Sequence, residues 1–259
     1  MKKTMLTTAL ALFLAGGLFA QDSKVEDVLN ANRFGLYVGL GSSWLNPKTT
    51  TKDEYAVANG KAKTAFSFGL NAERVLNSRY SIYSGIGVDW EGGQITSTLQ
   101  SSSAAPDSTY VKSADVGYSL QYVRVPLGLK LKAANIADLR IFGLIGADAG
   151  ILISKKTDIT RVFYADGAAY TTNTTTTDNE IGTKNSATVP FNIGYQIGVG
   201  VEYDITDNNA VYLKLLYRNG LIDVTNPDGA IGTGNDDRYR FKDGNIASNA
   251  IGIRIGYFF

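Results

Sequence analysis

The chain has 259 residues, a formal net charge of +1, 28 glycines, and neither histidine nor cysteine. The lack of cysteine excludes disulfides and thiol chemistry, and the lack of histidine removes the commonest general base and transition-metal ligand. The near-neutral charge balance gives no support for nucleic-acid binding.

The first twenty residues are typical of a secretory signal peptide. Residues 1–20 begin with two lysines after Met1, continue as an apolar run that ends in small residues, and are followed by polar Gln21. A buried helix or a membrane anchor is the alternative, but the run is too short to span a bilayer comfortably. We expect cleavage after Ala20, a short periplasmic segment over 21–32, and a single folded domain over 33–259.

Eight segments after this leader alternate between apolar and polar side chains, which predicts β-strands with two distinct faces. They are residues 33–44, 65–73, 80–91, 122–132, 139–153, 190–205, 211–218 and 251–259. The sixth segment alternates most regularly. The fifth is the least regular, because Phe142 and Leu144 occupy its otherwise polar phase.

The connections between these strands alternate in length. Three are compact turns rich in Asn, Asp or Ser, whereas residues 47–61, 92–115, 154–188 and 223–247 are expected to form long polar loops. The third long loop contains TTNTTTTDNE, a low-complexity stretch that we expect to lack fixed structure. Short turns on one side and long loops on the other are typical of transmembrane β-barrels.

The strand glycines indicate which face meets water. Nearly all of them share the polar phase, where a solvated outer face would gain little from them. The interior of an eight-stranded barrel is barely wide enough for side chains, so glycines there make room for larger neighbours. The apolar phase is therefore predicted to face lipid. Aromatic residues near strand ends are expected at the two membrane interfaces: Trp44, Tyr80, Trp90, Tyr118, Tyr203 and Tyr217.

The polar phase carries six acids and six bases, which we interpret as a charge network inside the barrel. Near-balance is expected because unpaired charges are costly in a low-dielectric interior. An ordinary solvated face would also mix signs, and this alternative stays open. The predicted network comprises Glu73, Asp89, Glu91, Arg124, Lys130, Arg140, Asp148, Glu202, Asp204, Lys214, Arg218 and Arg254.

These patterns predict an all-β protein, an eight-stranded antiparallel up-and-down transmembrane β-barrel in the bacterial outer membrane. The final strand resembles the C-terminal assembly signal of outer-membrane proteins, with Ile255, Tyr257 and Phe259 in its apolar phase. YVRVPLGLKLK, residues 122–132, resembles the Y-x-x-[IV]-P-L-x-L-K strand of the Bacteroidetes outer-membrane barrels known as PorT-like or "porin family" proteins. That resemblance implies the barrel fold and, as one function, accessory work in protein secretion or envelope assembly.

The leading functional prediction is a small non-enzymatic barrel with a side-chain-filled interior and long extracellular loops for binding or envelope structure. It has no predicted catalytic, cofactor-binding or metal-binding residues. Its expected partners are outer-membrane lipid and lipopolysaccharide, the barrel-assembly machinery, and an extracellular ligand or envelope protein, with no nucleic acid. The alternatives are PorT-like accessory work, a soluble ligand-binding barrel, and a lipid-modifying enzyme or protease. An enzyme would depend on acids such as Asp89, Glu91 and Asp204, because no Ser–His pair exists.

Overall fold

The computed structural model describes residues 32–52, 55–100, 110–136, 139–165, 168–177, 188–206, 209–225 and 245–259. The predicted leader and residues 21–31 lie outside this part of the chain. The strands are β1 (Asn32–Pro47), β2 (Thr51–Lys52), β3 (Tyr55–Val75), β4 (Tyr80–Leu99), β5 (Tyr110–Ile136), β6 (Leu139–Ala165), β7 (Ala168–Thr177), β8 (Phe191–Asp204), β9 (Ala210–Gly220) and β10 (Ile246–Phe258). Within the described ranges no helix is long and apolar enough to cross a membrane.

Eight of these strands close into a ring in which each strand is antiparallel to both neighbours. The order is β1-β3-β4-β5-β6-β8-β9-β10, and β10 pairs back with β1. β2 and β7 lie outside the ring, paired with the extended ends of β3 and β6. The predicted eight-stranded antiparallel barrel is therefore confirmed, and each of the eight predicted segments lies mainly within one strand of the ring.

The apolar phase of the strands faces outward. On β10, Ile251, Ile253 and Ile255 are 41%, 54% and 50% exposed. Arg254 between them points inward, with a side chain that is only 12% exposed. Since an apolar outer surface of this kind meets lipid in a transmembrane barrel, the orientation agrees with the prediction. Tyr257 and Phe259 belong to the same outward phase.

Glycines in the inward phase let tyrosine rings lie against the barrel wall. Gly69 on β3 pairs with Gly87 on β4, and the ring of Tyr37 covers both. A Cβ on Gly69 would lie 2.9 Å from Tyr37 Cε1, and a Cβ on Gly87 would overlap the Tyr37 hydroxyl. Tyr83 covers Gly128 in the same way. These glycines therefore provide space for aromatic side chains in a narrow lumen.

Pro126 occupies an interior position of β5, where it has no N–H to donate. The pairing with β6 is continuous across it, but the pairing with β4 breaks between Ser84↔Leu127 and Gly87↔Arg124. Ser84 Oγ donates a hydrogen bond of 2.9 Å to the Pro126 carbonyl oxygen on this side. A serine hydroxyl thus replaces the backbone donor that β4 does not supply there.

The prediction of long loops is wrong for many of the residues concerned, because the strands continue beyond the predicted membrane segments. β4 extends to Leu99, β5 starts at Tyr110, and β6 runs on to Ala165. The threonine-rich stretch forms structure over residues 171–177, since residues 168–177 make up β7 and pair with β6. Threonine is β-branched and favours strands. Residues 178–187 and 226–244 lie outside the described residues.

The alternation in β6 changes phase at a bulge. Gln121 pairs with Ser154, but the next residue, Tyr122, pairs with Leu152, so Ile153 is the extra residue. Before the bulge Leu152 faces inward, and after it Lys155 does, with both side chains buried. One inserted residue therefore exchanges the faces of the strand beyond the membrane.

Five of the six predicted interface aromatics lie on the outside of the barrel. Trp44 stacks near Tyr217 with ring centroids 6.4 Å apart, and Trp90 contacts Phe66 at 5.6 Å. Tyr80 and Tyr203, beside the short turns at the opposite end, are 44% and 46% exposed. The prediction for Tyr118 is wrong, because its ring is fully buried on the inner face of the sheet.

The contact between Gly87 and Tyr37 predicts a specific pair of effects. Gly87→Ala should destabilise the barrel by about 1–3 kcal/mol through overpacking against the Tyr37 hydroxyl. Tyr37→Phe removes that hydroxyl, so the double variant should recover part of the loss. The measurement is the urea midpoint of the folded, heat-modifiable form in detergent. Val88→Ala on the outward face is the control, and a double variant as unstable as Gly87→Ala would contradict this explanation.

Candidate functional site

The inside of the barrel holds a set of buried charges that we call the lumen network. Its members are Arg33, Glu73, Asp89, Glu91, Arg124, Lys130, Lys132, Asp148, Glu202, Lys214, Arg218 and Arg254. They form one cluster near the chain ends and a second cluster nearer the outer ends of the strands. The inward phase of all eight ring strands brings them together, because alternate residues of a strand point to the same face.

The first cluster is built around two glutamates. Lys130 Nζ lies 2.8 Å from Glu73 Oε2 and also pairs with Glu202. Lys132 Nζ lies 2.7 Å from Glu73 Oε1, and Arg33 Nη1 lies 2.7 Å from Glu202 Oε1. The ion pairs connect β1, β3, β5 and β8 across the lumen, so they hold opposite walls of the barrel together.

Aromatic rings enclose this first cluster. The Lys130 ammonium lies 4.4 Å from the ring centroid of Phe142, and the Arg33 guanidinium lies 4.5 Å from that of Phe258. Tyr212 packs between the two rings, 6.5 Å from Phe142 and 5.2 Å from Phe258. Cation–π attraction adds to the ion pairs where the charges are removed from water.

The second cluster is built around two arginines. Arg124 Nη1 lies 2.7 Å from Asp148 Oδ2, and Arg124 Nη2 lies 2.5 Å from Glu91 Oε1. Arg218 Nη1 lies 2.5 Å from Asp89 Oδ2, and Arg218 also pairs with Glu91. Arg124 thus bridges carboxylates of β4 and β6, and Arg218 bridges two carboxylates of β4, a geometry that suits the planar guanidinium.

Two further groups complete the second cluster. Arg254 Nη2 reaches Asp89 at 3.4 Å, and Ser248 Oγ donates a hydrogen bond of 3.1 Å to Glu91 Oε1. Both residues lie on β10, so the last strand of the ring contributes directly to this cluster. The carboxylates of the cluster are all occupied by basic partners, which leaves Asp89 and Glu91 poorly suited to proton transfer with a substrate.

Two of the predicted network residues lie at the rim of the barrel. Arg140 Nη2 and Asp204 Oδ2 form an ion pair of 2.6 Å, with side chains that are 26% and 39% exposed. Arg140 also approaches Glu202 at 3.7 Å. The other ten predicted residues lie in the lumen network.

The predicted balance of charge is wrong, because two basic side chains were left out of it. Lys132 occupies an inward-facing position of β5, and Arg33 occupies one of β1. The alternation of each strand could therefore have identified both residues as members of the network. With them the lumen network contains seven bases and five acids. The rim pair of Arg140 and Asp204 leaves this surplus of two positive charges unchanged.

An apolar core lies above the lumen network, where the strands extend beyond the membrane segments. Its buried side chains come from the inner face of the extended β3–β6 sheet, from the end of β1, and from the segments around Val224 and Ile246. The members are Leu45, Val57, Ile95, Val111, Ala114, Val116, Tyr118, Leu120, Tyr122, Leu152, Ile159, Phe163, Val224 and Ile246. Sequence reasoning missed this core because it treated most of these positions as loop.

Small voids lie among the packed side chains of the described residues. One of about 40 Å³ lies beside Gly41, Arg218 and Arg254, and one of about 20 Å³ lies beside Lys130 and Lys214. Each has room for only one or a few water molecules. No group of three or more acidic side chains in the described part of the chain is placed to hold a metal ion.

A closed antiparallel barrel with a lipid-facing apolar surface and a charged lumen defines an outer-membrane β-barrel protein. Residues 19–246 match the family model of the outer membrane protein beta-barrel domain, and the chain belongs to this family. The comparison with curated proteins found no match. The family assigns the protein to the outer membrane.

Several solved structures of outer-membrane barrels are similar to this chain. Ail, the attachment invasion locus protein of Yersinia pestis, is 13% identical, with a TM-score of 0.32, covering 88% of this chain and 99% of Ail. Neisserial surface protein A is 11% identical, with a TM-score of 0.36 and coverages of 87% and 97%. OprG from Pseudomonas aeruginosa is 10% identical, with a TM-score of 0.37 and coverages of 89% and 97%.

The lumen network predicts a large difference between a buried and an exposed ion pair. Arg124→Met leaves Asp148 and Glu91 without their shared guanidinium, so it should cost about 3–5 kcal/mol of unfolding free energy. Lys156→Met breaks a pair with Asp158 whose side chains are about half exposed, and should cost less than about 1 kcal/mol. Urea unfolding of refolded protein measures both. Equal losses would show that the lumen pairs behave like surface pairs.

Proposed function

We propose that the protein is a non-conducting, non-enzymatic outer-membrane barrel whose membrane part is an anchor and whose outer sheet is the working surface. The observation that carries the proposal is the filling of the interior at successive heights. Two clusters of ion pairs occupy the lumen, and the apolar core lies above them. An eight-stranded barrel filled in this way has no room for a solute path.

The chemistry of the lumen supports a non-enzymatic role. The acids that an enzyme would need are committed elsewhere, Asp89 and Glu91 to arginines in the lumen and Asp204 to Arg140 at the rim. The chain also has no histidine or cysteine to serve as a base or nucleophile. Hydrolysis of lipid or peptide would therefore need a carboxylate that is free to exchange a proton, and these three are held in ion pairs.

The outer sheet is the part that we propose binds an extracellular ligand or envelope protein. It is formed by β7 and the extended ends of β3–β6, and its inner face packs on the apolar core. Its other face carries polar groups such as Thr96, which donates a 2.5 Å hydrogen bond to Asp115, and the pair of Lys156 and Asp158. The core makes this sheet a firm platform, and loops on rigid platforms commonly carry binding.

The remaining proposed partners follow from location and assembly. The apolar belt would contact outer-membrane lipid and lipopolysaccharide, and the outward residues Ile255, Tyr257 and Phe259 would be read by the barrel-assembly machinery. Their exposure, from 39% to 56%, leaves them accessible at the edge of the last strand before insertion. Export across the inner membrane would include removal of the signal peptide by cleavage after Ala20.

The conductance of the purified barrel tests the filled interior. Wild-type protein reconstituted in planar bilayers should give no large, stable unitary conductance, because ion pairs and apolar side chains occupy its lumen. The heat-modifiable gel shift of the same sample confirms that the barrel is folded and inserted. Reproducible large unitary steps from this sample would contradict the proposal.

The mature N-terminus tests the proposed export. Intact mass and N-terminal sequencing of protein from the membrane fraction should show that the chain starts at Gln21. Replacing Ala20 by Arg should block cleavage, because the peptidase requires a small residue there. Wild-type protein that retains residues 1–20 would contradict this cleavage site.

A second candidate is PorT-like accessory work in protein secretion or envelope assembly. The Pro126-containing strand favours it, because the resemblance to the Bacteroidetes PorT-like barrels lies in residues 122–132. A deletion strain separates the two proposals. Loss of secreted enzymes from the medium would favour the accessory role, whereas a normal set of secreted proteins would favour a separate binding or envelope function.

A further inference from the structure

Lys214 on β9 is a buried basic side chain that lies between the two clusters of the lumen network. Its side chain is almost completely buried, at 6% exposure for the residue. Its Nζ lies 5.2 Å from the ring centroid of Tyr212 and 5.7 Å from that of Tyr83. No carboxylate among the described residues forms an ion pair or hydrogen bond with it, unlike every other base of the network.

Lys214 lines the void of about 20 Å³. Lys130, Asn71, Tyr83 and Tyr212 line it as well, together with apolar side chains. Glu73 also lines it, but both of its oxygens are occupied by Lys130 and Lys132. The void is large enough for one water-sized occupant and too small for a polyatomic ion.

A second donor faces the same region. Asn71 Nδ2 donates a hydrogen bond to the Tyr212 hydroxyl oxygen, so the hydroxyl proton is free to donate to another group. Lys214 contributes three N–H donors and has no acceptor of its own. Lys214 and Tyr212 therefore both bring donors to a void where no carboxylate oxygen is left to accept from them.

The charge of the whole lumen network points in the same direction. It has two more bases than acids, and buried charges without a counter-charge are strongly unfavourable. We propose that the void beside Lys214 holds a small monatomic anion of the halide class, which accepts hydrogen bonds from Lys214 and Tyr212. The anion offsets part of the positive surplus and stabilises the closed barrel.

Bromide substitution tests the site directly. The protein is refolded and crystallised in sodium bromide, so that the ion enters before the lumen closes. Anomalous scattering should show a bromide peak within hydrogen-bond distance of Lys214 Nζ. Lys156→Met, an exposed substitution, should keep the peak, and Lys214→Met, which fills the site with an uncharged side chain of similar length, should lose it.

Thermal unfolding gives an independent measurement. At equal ionic strength, chloride should raise the Tm of wild type by about 2–4 °C over gluconate, whereas the general stabilisation by sulfate should be the same in wild type and Lys214→Met. Lys214→Met should remove the difference, and Lys156→Met should retain it. Absence of a bromide peak in wild type would overturn the proposal even if Lys214→Met fails to fold. Equal chloride dependence in Lys214→Met would also overturn it.

Discussion

The lipid bilayer offers no water to hydrogen-bond a backbone, and the whole structure depends on this constraint. A sheet in such a solvent must have no free edge, so β1 pairs on one side with β3 and on the other with β10. The seam between β1 and β10 runs over thirteen residue pairs, from Gly35↔Phe258 to Pro47↔Ile246. Closure with eight strands fixes a narrow lumen, and the narrow lumen requires the glycines, the compact ion pairs and the flat tyrosine rings.

The barrel could be predicted from the sequence because apolar and polar residues alternate along its strands with a period of two. A strand that separates lipid from a polar lumen must alternate between apolar and polar side chains. The side chains of Ile253 and Arg254 can therefore be assigned to opposite faces from the sequence alone. The outer sheet lacked this signal, because the bulge at Ile153 reverses the phase and both faces there contain small or polar residues. Partners inside the lumen could not be predicted either. Arg33 and Glu202 are 169 positions apart, and only the strand order places them together.

The interior changes character along the barrel axis. In the membrane it is ionic, because the apolar residues are required on the outside, against lipid. Beyond the membrane, water surrounds the sheet, and the usual order returns with Tyr118, Leu120 and Ile95 inside. Tyr122 lies at this transition, fully buried in the apolar core while the Arg124 guanidinium lies 4.7 Å from its ring centroid. Along one continuous strand, polar side chains therefore point inward where lipid surrounds the barrel, and apolar side chains point inward where water surrounds it.

The two strands of the seam each carry an arginine into the lumen, and this has a consequence for biogenesis. Arg33 on β1 neutralises Glu202, and Arg254 on β10 approaches Asp89. Before the first and last strands meet, neither acid has its full complement of cations, and the open side of the nascent sheet admits water to solvate both. Pairing of β1 with β10 expels that water and brings the guanidinium groups of Arg33 and Arg254 to these carboxylates at the same time. Closure of the seam and completion of these two ion pairs are therefore coupled, because Arg33 and Arg254 lie on the two strands that must meet.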